Sequence, residues 1–466
     1  MLYVAGHQRN MNRKSTQLQD INMNDTKLND VKSHQPQVEQ SMRWLSVATA
    51  IAGISGFAVV IIPGRAFGKE STISIEFLAY WGLFFTITGI ITGLTQETTR
   101  AVTTALDTQK PRDNYGDSHG LNPITTSTTK SLAQPIIIGL WIALVTMVTI
   151  IVLAPLWSPR ILSQHNLVGI ILMAVGLASY TVQATIAGLI SASRLWNRYA
   201  LLITLDSVSR MVLAIVAWIF GWKLVAFLVV TVLGAASWLV LVTFSSQVRE
   251  TLRLRADVST KQFLQRAGFA MAASGATAVL ITGFPTLAKF THPDVTPVGE
   301  VSVNVVSYGV ILTRAPLLVP LQQFLSALVV RFVQHRNKPL RALSQPFLLI
   351  WSVGLLGSFA AWLIGPWLMV AVLGDAYVIS GRSLALFTLG ATCTASLMIT
   401  GAAAMSIEKH QYYLWGWATA TLVGICFLAS PLSLENGAWL ALCIGPLCGL
   451  VVHMVGIFTA RTNSSS

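Results

Sequence analysis

After residue 43, stretches of 18 or more residues with hardly a charge recur to the end of the chain. A stretch of about 20 apolar residues is what a helix needs to cross roughly 30 Å of hydrocarbon. Lipid offers no hydrogen bonds, so such stretches must satisfy their own backbone groups, and a helix does this within one segment. Only 11% of the 466 residues are charged and 53% are hydrophobic, whereas a soluble domain carries about 25% charged residues. The fold class is therefore an all-α polytopic membrane protein.

Twelve spans are expected, at about 44–62, 75–95, 134–155, 166–190, 200–220, 224–244, 263–284, 303–330, 345–365, 381–404, 413–430 and 437–459. The short polar links at Gly221 to Lys223 and at Pro431 to Glu435 are read as tight hairpins, since each separates two stretches of spanning length. Residues 1–43 are rich in Asn, Gln, Asp, Lys and Ser without apolar periodicity and read as a disordered cytoplasmic tail. The segment 96–131, rich in Thr, Ser, Asp and Asn, reads as a flexible insertion.

The net charge of +13 does not mark a nucleic-acid binder, because Lys and Arg sit in short loops and form no continuous basic surface. Their distribution instead orients the chain. With the N-terminus inside, 23 of the 31 fall in inner segments, 6 in outer segments and 2 within spans. Positive residues are retained on the cytoplasmic side, so both termini are expected in the cytoplasm, with the protein in the cytoplasmic membrane. The four cysteines, Cys393, Cys426, Cys443 and Cys448, lie in apolar stretches with no metal-ligand spacing. The histidines are scattered, with His453 read as a packing residue, and there is no glycine loop with a lysine for a nucleotide. No enzyme activity, cofactor or metal is expected.

The two halves share a pattern. Pro135 and Pro155 are 20 residues apart, as are Pro346 and Pro366; Gln134 and Gln345 precede the first of each pair, and Trp157 and Trp367 follow the second. Gly188 precedes Tyr199 by 11 residues, and Gly401 precedes Tyr412 by 11. An even number of spans per half makes such a repeat parallel, with a pseudo-two-fold axis along the membrane normal and a site at the interface near the midplane. The expected lobes are 44–247 and 248–466, with a central cleft.

Charges inside spans are costly, roughly 2.5–3.5 kcal/mol on insertion scales, and mark candidate sites. Arg314 lies near the middle of span eight, on a helical face shared with Asn304, Ser307, Tyr308, Gln322 and Ser326. Pro316 and Pro320 are expected to bend or unwind the helix beside it and free carbonyls toward the cleft. A planar guanidinium suits phosphate; the alternative is a structural arginine bonded to carbonyls or to Asp206. In span five, Asp206 and Arg210 have the i, i+4 spacing of an intrahelical ion pair, read either as structural or as a cation or headgroup site. Asp206 is the candidate for ion coupling. Tyr80 in span two is a further cleft candidate. Glu76 is read as a residue of the outer interface, Glu97 and Arg100 as solvated span ends, and Asp375 and Arg382 as wet residues of an outer loop.

Arg314-Ala-Pro-Leu-Leu with Gln322 and Gln323 in span eight, Gly374-Asp375-Ala376-Tyr377 before span ten, and the Arg194 to Arg210 stretch entering span five resemble the polysaccharide and O-antigen-type flippases. These belong to the multidrug/oligosaccharidyl-lipid/polysaccharide (MOP) exporter superfamily. The resemblance covers roughly residues 44–460. It implies two lobes of six helices, alternating access, and a lipid-linked (polyprenyl-pyrophosphate) oligosaccharide as substrate, with Arg314 and Arg210 as pyrophosphate contacts. Glycosyltransferases or a glycan polymerase are the implied partners, beside membrane lipids. Span one carries no arginine, unlike the lipid II flippase branch. The competing reading is a cation or drug antiporter of the same superfamily, which needs cleft carboxylates. A glycan polymerase would need a large basic outer loop, which this chain lacks.

Overall fold

The computed structural model describes residues 44–68, 71–108, 132–292, 300–334, 339–407 and 409–462. The tail 1–43 and most of the 96–131 segment lie outside the described residues. The fold is built of helices: α1 (Trp44–Phe67), α2 (Ser71–Thr108), α3 (Pro135–Val152), α4 (Ala154–Ile161), α5 (Asn166–Ala192), α6 (Trp196–Ile219), α7 (Leu224–Leu233), α8 (Ser237–Phe244) and α9 (Ser246–Thr251). They continue as α10 (Thr260–Ile281), α11 (Phe284–Thr291), α12 (Val303–Gln334), α13 (Pro339–Leu373), α14 (Gly381–Ser406), α15 (His410–Leu428) and α16 (Leu434–Thr462). Among the described residues, ten helices are long and apolar enough to cross a membrane, and the bent pair α10 and α11, taken as one span, makes an eleventh. The remaining expected span is α15, whose first half is diluted by Gln411, Tyr412, Tyr413 and two tryptophans.

Both hairpin links form as expected. Gly221, at φ +63, turns the chain between α6 and α7, a left-handed conformation that favours glycine. One expectation is corrected: α2 runs to Thr108, so residues 96–108 are helix and not part of an insertion. Ala101 and Val102 are fully buried there, and Arg100 is anchored to Asp257 as well as to Glu97.

The two halves repeat one packing scheme. In the first, α5 is the central helix, flanked by α2 and α3; in the second, α14 is flanked by α12 and α13. The apolar window of α14 is 83% buried and that of α13 only 11%, so α13 presents its apolar face outward while α14 is core. The repeat is imperfect at its prolines. Span three breaks at Leu153 into α3 and α4, with Pro155 in the first turn of α4, whereas α13 runs continuously through Pro346 and Pro366.

The halves meet along α2 and α10, which run antiparallel in close contact. A Cβ at Gly93 would stand 2.3 Å from the Met271 nitrogen, and one at Gly89 would stand 2.4 Å from the Ala278 Cβ. Small residues let membrane helices approach to backbone contact, where dispersion and not hydrophobicity holds them. A second junction joins α1 to the far ends of α12 and α13, where Arg65 donates to the carbonyls of Ala371 and Val372 at 2.9 and 3.0 Å.

Candidate functional site

Between the halves, toward the end of the bundle that carries Arg100, lies a cavity of about 560 Å³, within the size range of ligand sites. α2 contributes Gln96, Glu97 and Arg100 to it; α10 contributes Phe269, Ser274 and Thr277; α12 contributes Gln322. α14 and α15 complete the wall with Met398, Met405, Tyr413 and Trp417. The wall is mixed: thioethers and aromatic rings, a hydroxyl pair and one charged cluster at the mouth. Arg100 pairs there with Glu97 at 2.7 Å and Asp257 at 3.4 Å, its side chain 40% exposed.

The opposite end of the bundle is closed by a buried hydroxyl network. The Tyr377 hydroxyl donates to the Gly64 carbonyl at 2.9 Å and lies 3.2 Å from both Asn304 Nδ2 and Ser74 Oγ. The Tyr308 hydroxyl donates to the Val60 carbonyl at 3.2 Å, and the two phenol rings meet edge to face at 5.2 Å. Four segments are thereby tied together: α1, α2, α12 and the 374–380 link. Burial raises the Tyr377 phenol above its ordinary range, against the opposing hydrogen bonds from Ser74 and Asn304, so it remains protonated and can donate. Tyr308 and Asn304, expected in the cleft, belong to this closure instead.

Arg314 is 5% exposed and does not line the cavity. Nη1 donates to the carbonyls of Leu280 and Ile281 at 3.1 and 3.2 Å. The reason is local. The Ile281 carbonyl would ordinarily accept from the nitrogen of residue 285, but that residue is Pro285 and has no N–H. The span bends by 67° there, and Arg314 satisfies the carbonyls that the break orphans. The unwinding expected beside Pro316 and Pro320 does not occur, since α12 is helical through both, and the broken helix is its neighbour. The guanidinium also stands 5.8 Å from the Phe284 ring, while its Nε and Nη2 are buried without a partner. Along α12, Arg314 is eight residues, about 12 Å, from Gln322. It therefore sits beyond the cavity, toward the closed end.

Arg210 has a parallel role in the first half. It pairs with Asp206 at 2.7 Å, donates through Nη1 to the Thr231 carbonyl, and stacks 5.0 Å from the Phe85 ring. Nε also donates to Asp206 Oδ1 at 2.9 Å, so two guanidinium nitrogens face the one carboxylate. Thr231 precedes a 3₁₀ turn at Gly234–Ala236 that interrupts the span, so here too an arginine meets a carbonyl beside a break. A Cβ at Gly234 would stand 2.1 Å from both Arg210 Nε and Asp206 Oδ1.

Tyr80 is buried, donates to the Gly169 carbonyl at 3.0 Å, and braces α2 against α5. Glu76 is 2% exposed and accepts from Ser163 N and Oγ at 3.1 and 2.5 Å, and Glu97, expected as a solvated end, is buried against Arg100. Asp375 and Arg382 are exposed as expected. Of the expected cleft residues, Gln322 lines the cavity. Thr277, Tyr413 and Trp417 were not singled out from sequence; their signal was weak, since hydroxyl and aromatic side chains are common in spans.

This arrangement of helices is that of the MOP transporter fold. The chain superposes on a MOP superfamily transporter from Pyrococcus furiosus with a TM-score of 0.60 and 16% identity, covering 91% of this chain and 95% of that one. An inward-facing multidrug resistance MATE family transporter gives 0.62 at 16% identity, covering 91% and 98%. In sequence, the chain belongs to one family with two proteins of Mycobacterium tuberculosis. It is 35% identical over 423 residues to Uncharacterized protein Rv3630 of Mycobacterium tuberculosis (strain ATCC 25618 / H37Rv), covering 91% of this chain and 93% of the relative. It is 32% identical over 456 residues to Uncharacterized protein Rv1510 of the same strain, covering 98% and 99%. No protein-family model matches the chain.

Proposed function

We propose that this chain is a flippase. It moves a lipid-linked, polyprenyl-pyrophosphate-type oligosaccharide across the cytoplasmic membrane by alternating access, for cell-surface polysaccharide assembly. The bias of Lys and Arg toward one side supports a cytoplasmic Arg100 end. The closed Tyr377 end is then external, and the described state is open inward.

The observation that carries the choice of substrate is the commitment of the buried charges. Among the described residues, the buried or part-buried carboxylates are each engaged: Asp206 by Arg210, Glu97 and Asp257 by Arg100, Glu76 by Ser163 and Glu435 by Ser383. Arg314, by contrast, keeps two guanidinium nitrogens without partners. Uncommitted buried donors suit an anion and leave a cation unserved. Arg314 is reached when the Tyr377 closure opens and the substrate headgroup passes the α10–α11 bend. Glycosyltransferases would supply such a substrate and a polymerase would consume it.

The second reading, a cation or drug antiporter, is favoured by the Met398, Met405, Tyr413 and Trp417 wall, which suits an apolar cation. The test is transport by purified protein in proteoliposomes. Movement of a fluorescent lipid-linked glycan, lost in Arg314→Gln, supports the flippase; ethidium movement without glycan movement replaces it with the antiporter.

A further inference from the structure

Alternating access needs an energy source, and the carboxylate expected to bind a coupling cation, Asp206, is already neutralised by Arg210. The second half holds a different group. His453 of α16 is fully buried behind the cavity wall. Its ring stacks parallel on Tyr413, with centroids 6.0 Å apart, and Tyr413 lines the cavity. Nε2 lies 3.1 Å from the Tyr413 carbonyl, and Nδ1 lies 3.1 Å from the Thr400 hydroxyl of α14. A carbonyl only accepts, so Nε2 carries a proton in either charge state.

The partner on Nδ1 can act both ways. The Thr400 hydroxyl has one hydrogen and three acceptors in reach: Nδ1, the Ser396 carbonyl at 3.1 Å and the Leu397 carbonyl at 3.0 Å. With neutral His453, Thr400 donates to Nδ1. When a proton from water binds Nδ1, the new N–H donates to Thr400 Oγ1, and the hydroxyl hydrogen turns to the Ser396 or Leu397 carbonyl. The same heavy atoms thus satisfy the imidazole and the imidazolium, and protonation leaves no orphaned donor. A histidine retained only for packing needs no such second arrangement.

The slot is shaped around the ring. A Cβ at Gly416 would stand 2.2 Å from His453 Cδ2 and Nε2, and one at Gly401 would stand 3.3 Å from Cε1. Tyr413 is the titratable side chain facing the ring from α15. Among the described residues, no hydrogen bond or ion pair joins the ring to an Asp, Glu, Lys or Arg of α10, α14, α15 or α16. The charged residues of these elements are Lys261 and Arg266 on α10, Arg382 on α14, Lys409 ahead of α15, and Glu435 and Arg461 on α16; α12, which also touches α16, carries Arg314 and Arg331. No fixed anion holds the ring charged, so its state follows proton supply. Its state is also conveyed: the Tyr413 hydroxyl is 3.3 Å from Thr277 of α10, the helix that packs along α2 of the other half.

We infer that His453 is a proton-binding site that couples the cavity to a proton gradient, with Thr400 as its switching partner. This rests on the transporter reading. The test is the distance between spin labels at Thr104→Cys on α2 and Gln411→Cys on α15, in full-length protein in lipid nanodiscs with the four native cysteines replaced. Across pH 5 to 8, two distances are expected, their ratio changing by up to about tenfold per pH unit for one linked proton. His453→Gln, which preserves a donor and an acceptor, is expected to hold the ratio constant. Thr400→Val, which keeps the ring but strands the Nδ1 proton, shifts the midpoint to lower pH. A wild-type pH response retained in His453→Gln overturns the inference. Two distances in a pH-independent ratio overturn it while leaving alternating access standing. A single distance at every pH overturns both.

Discussion

Removal of the Tyr377 hydroxyl isolates the closure of one end of the bundle. Tyr377→Phe keeps the ring that packs against Tyr308 and deletes three contacts, to the Gly64 carbonyl, Asn304 Nδ2 and Ser74 Oγ. A net hydrogen bond in a folded protein contributes roughly 0.5–1.5 kcal/mol, and more is lost where a buried partner is left bare. Asn304 Oδ1 is already without a partner, so the network has no spare bonds to absorb the loss. The closed arrangement is expected to lose about 2–3 kcal/mol, a factor of roughly 30 to 150 in the closed-to-open ratio. Hydrogen exchange reads that ratio directly. Amides of residues 58–66 and 303–309 should exchange faster by that factor, while those of α5 and α14 hold their rates. Unchanged exchange in the two segments, or a uniform rise through the bundle, would refute the closure.

Gly234→Ala drives a methyl into the Asp206–Arg210 pair, 2.1 Å from each partner, and should lower stability by about 1–3 kcal/mol as an overpacked core does. In a thermal melt, Asp206→Asn combined with it should cost less than the sum, because the two share one site. Arg314→Leu strips the Leu280 and Ile281 carbonyls of their donor and should cost about 1–3 kcal/mol, partly offset by removal of a buried charge; denaturation in detergent measures the net. Arg100→Gln, at a partly exposed ion pair, should change stability by no more than about 1 kcal/mol, and a larger loss would mean that the α2 end is held by this cluster alone.

Local features of the fold were legible because their causes are local. The Asp206–Arg210 pair follows from i, i+4 spacing, and the hairpins at Gly221 and Pro431 follow from two stretches of spanning length around a short polar link. The extension of α2 to Thr108 was hidden because its polar surface is that of a helix end packed on one side only. The candidate site was read less well, and Arg314 shows why. Its own helix suggested a break at Pro316 and Pro320, but the decisive proline is Pro285, 29 residues earlier in the chain. Pro316 and Pro320, four residues apart, did not break α12, while the α10–α11 span is broken at Gly283 and Pro285. The pairing of those carbonyls with Arg314 is tertiary, and no spacing encodes it. Tyr377, Tyr413 and His453 were ambiguous for the same reason, since each acts through a carbonyl or hydroxyl on another element.

The central claim is that this chain carries an anionic, lipid-linked glycan through the membrane. Its most direct test is purified protein in proteoliposomes holding a fluorescent polyprenyl-pyrophosphate oligosaccharide, with a membrane-impermeant reductant added outside. The label protected in the inner leaflet should be bleached at a rate set by the protein, and Arg314→Gln should slow this at least tenfold with the fold intact. Protection that persists in the presence of the folded wild-type protein would contradict it.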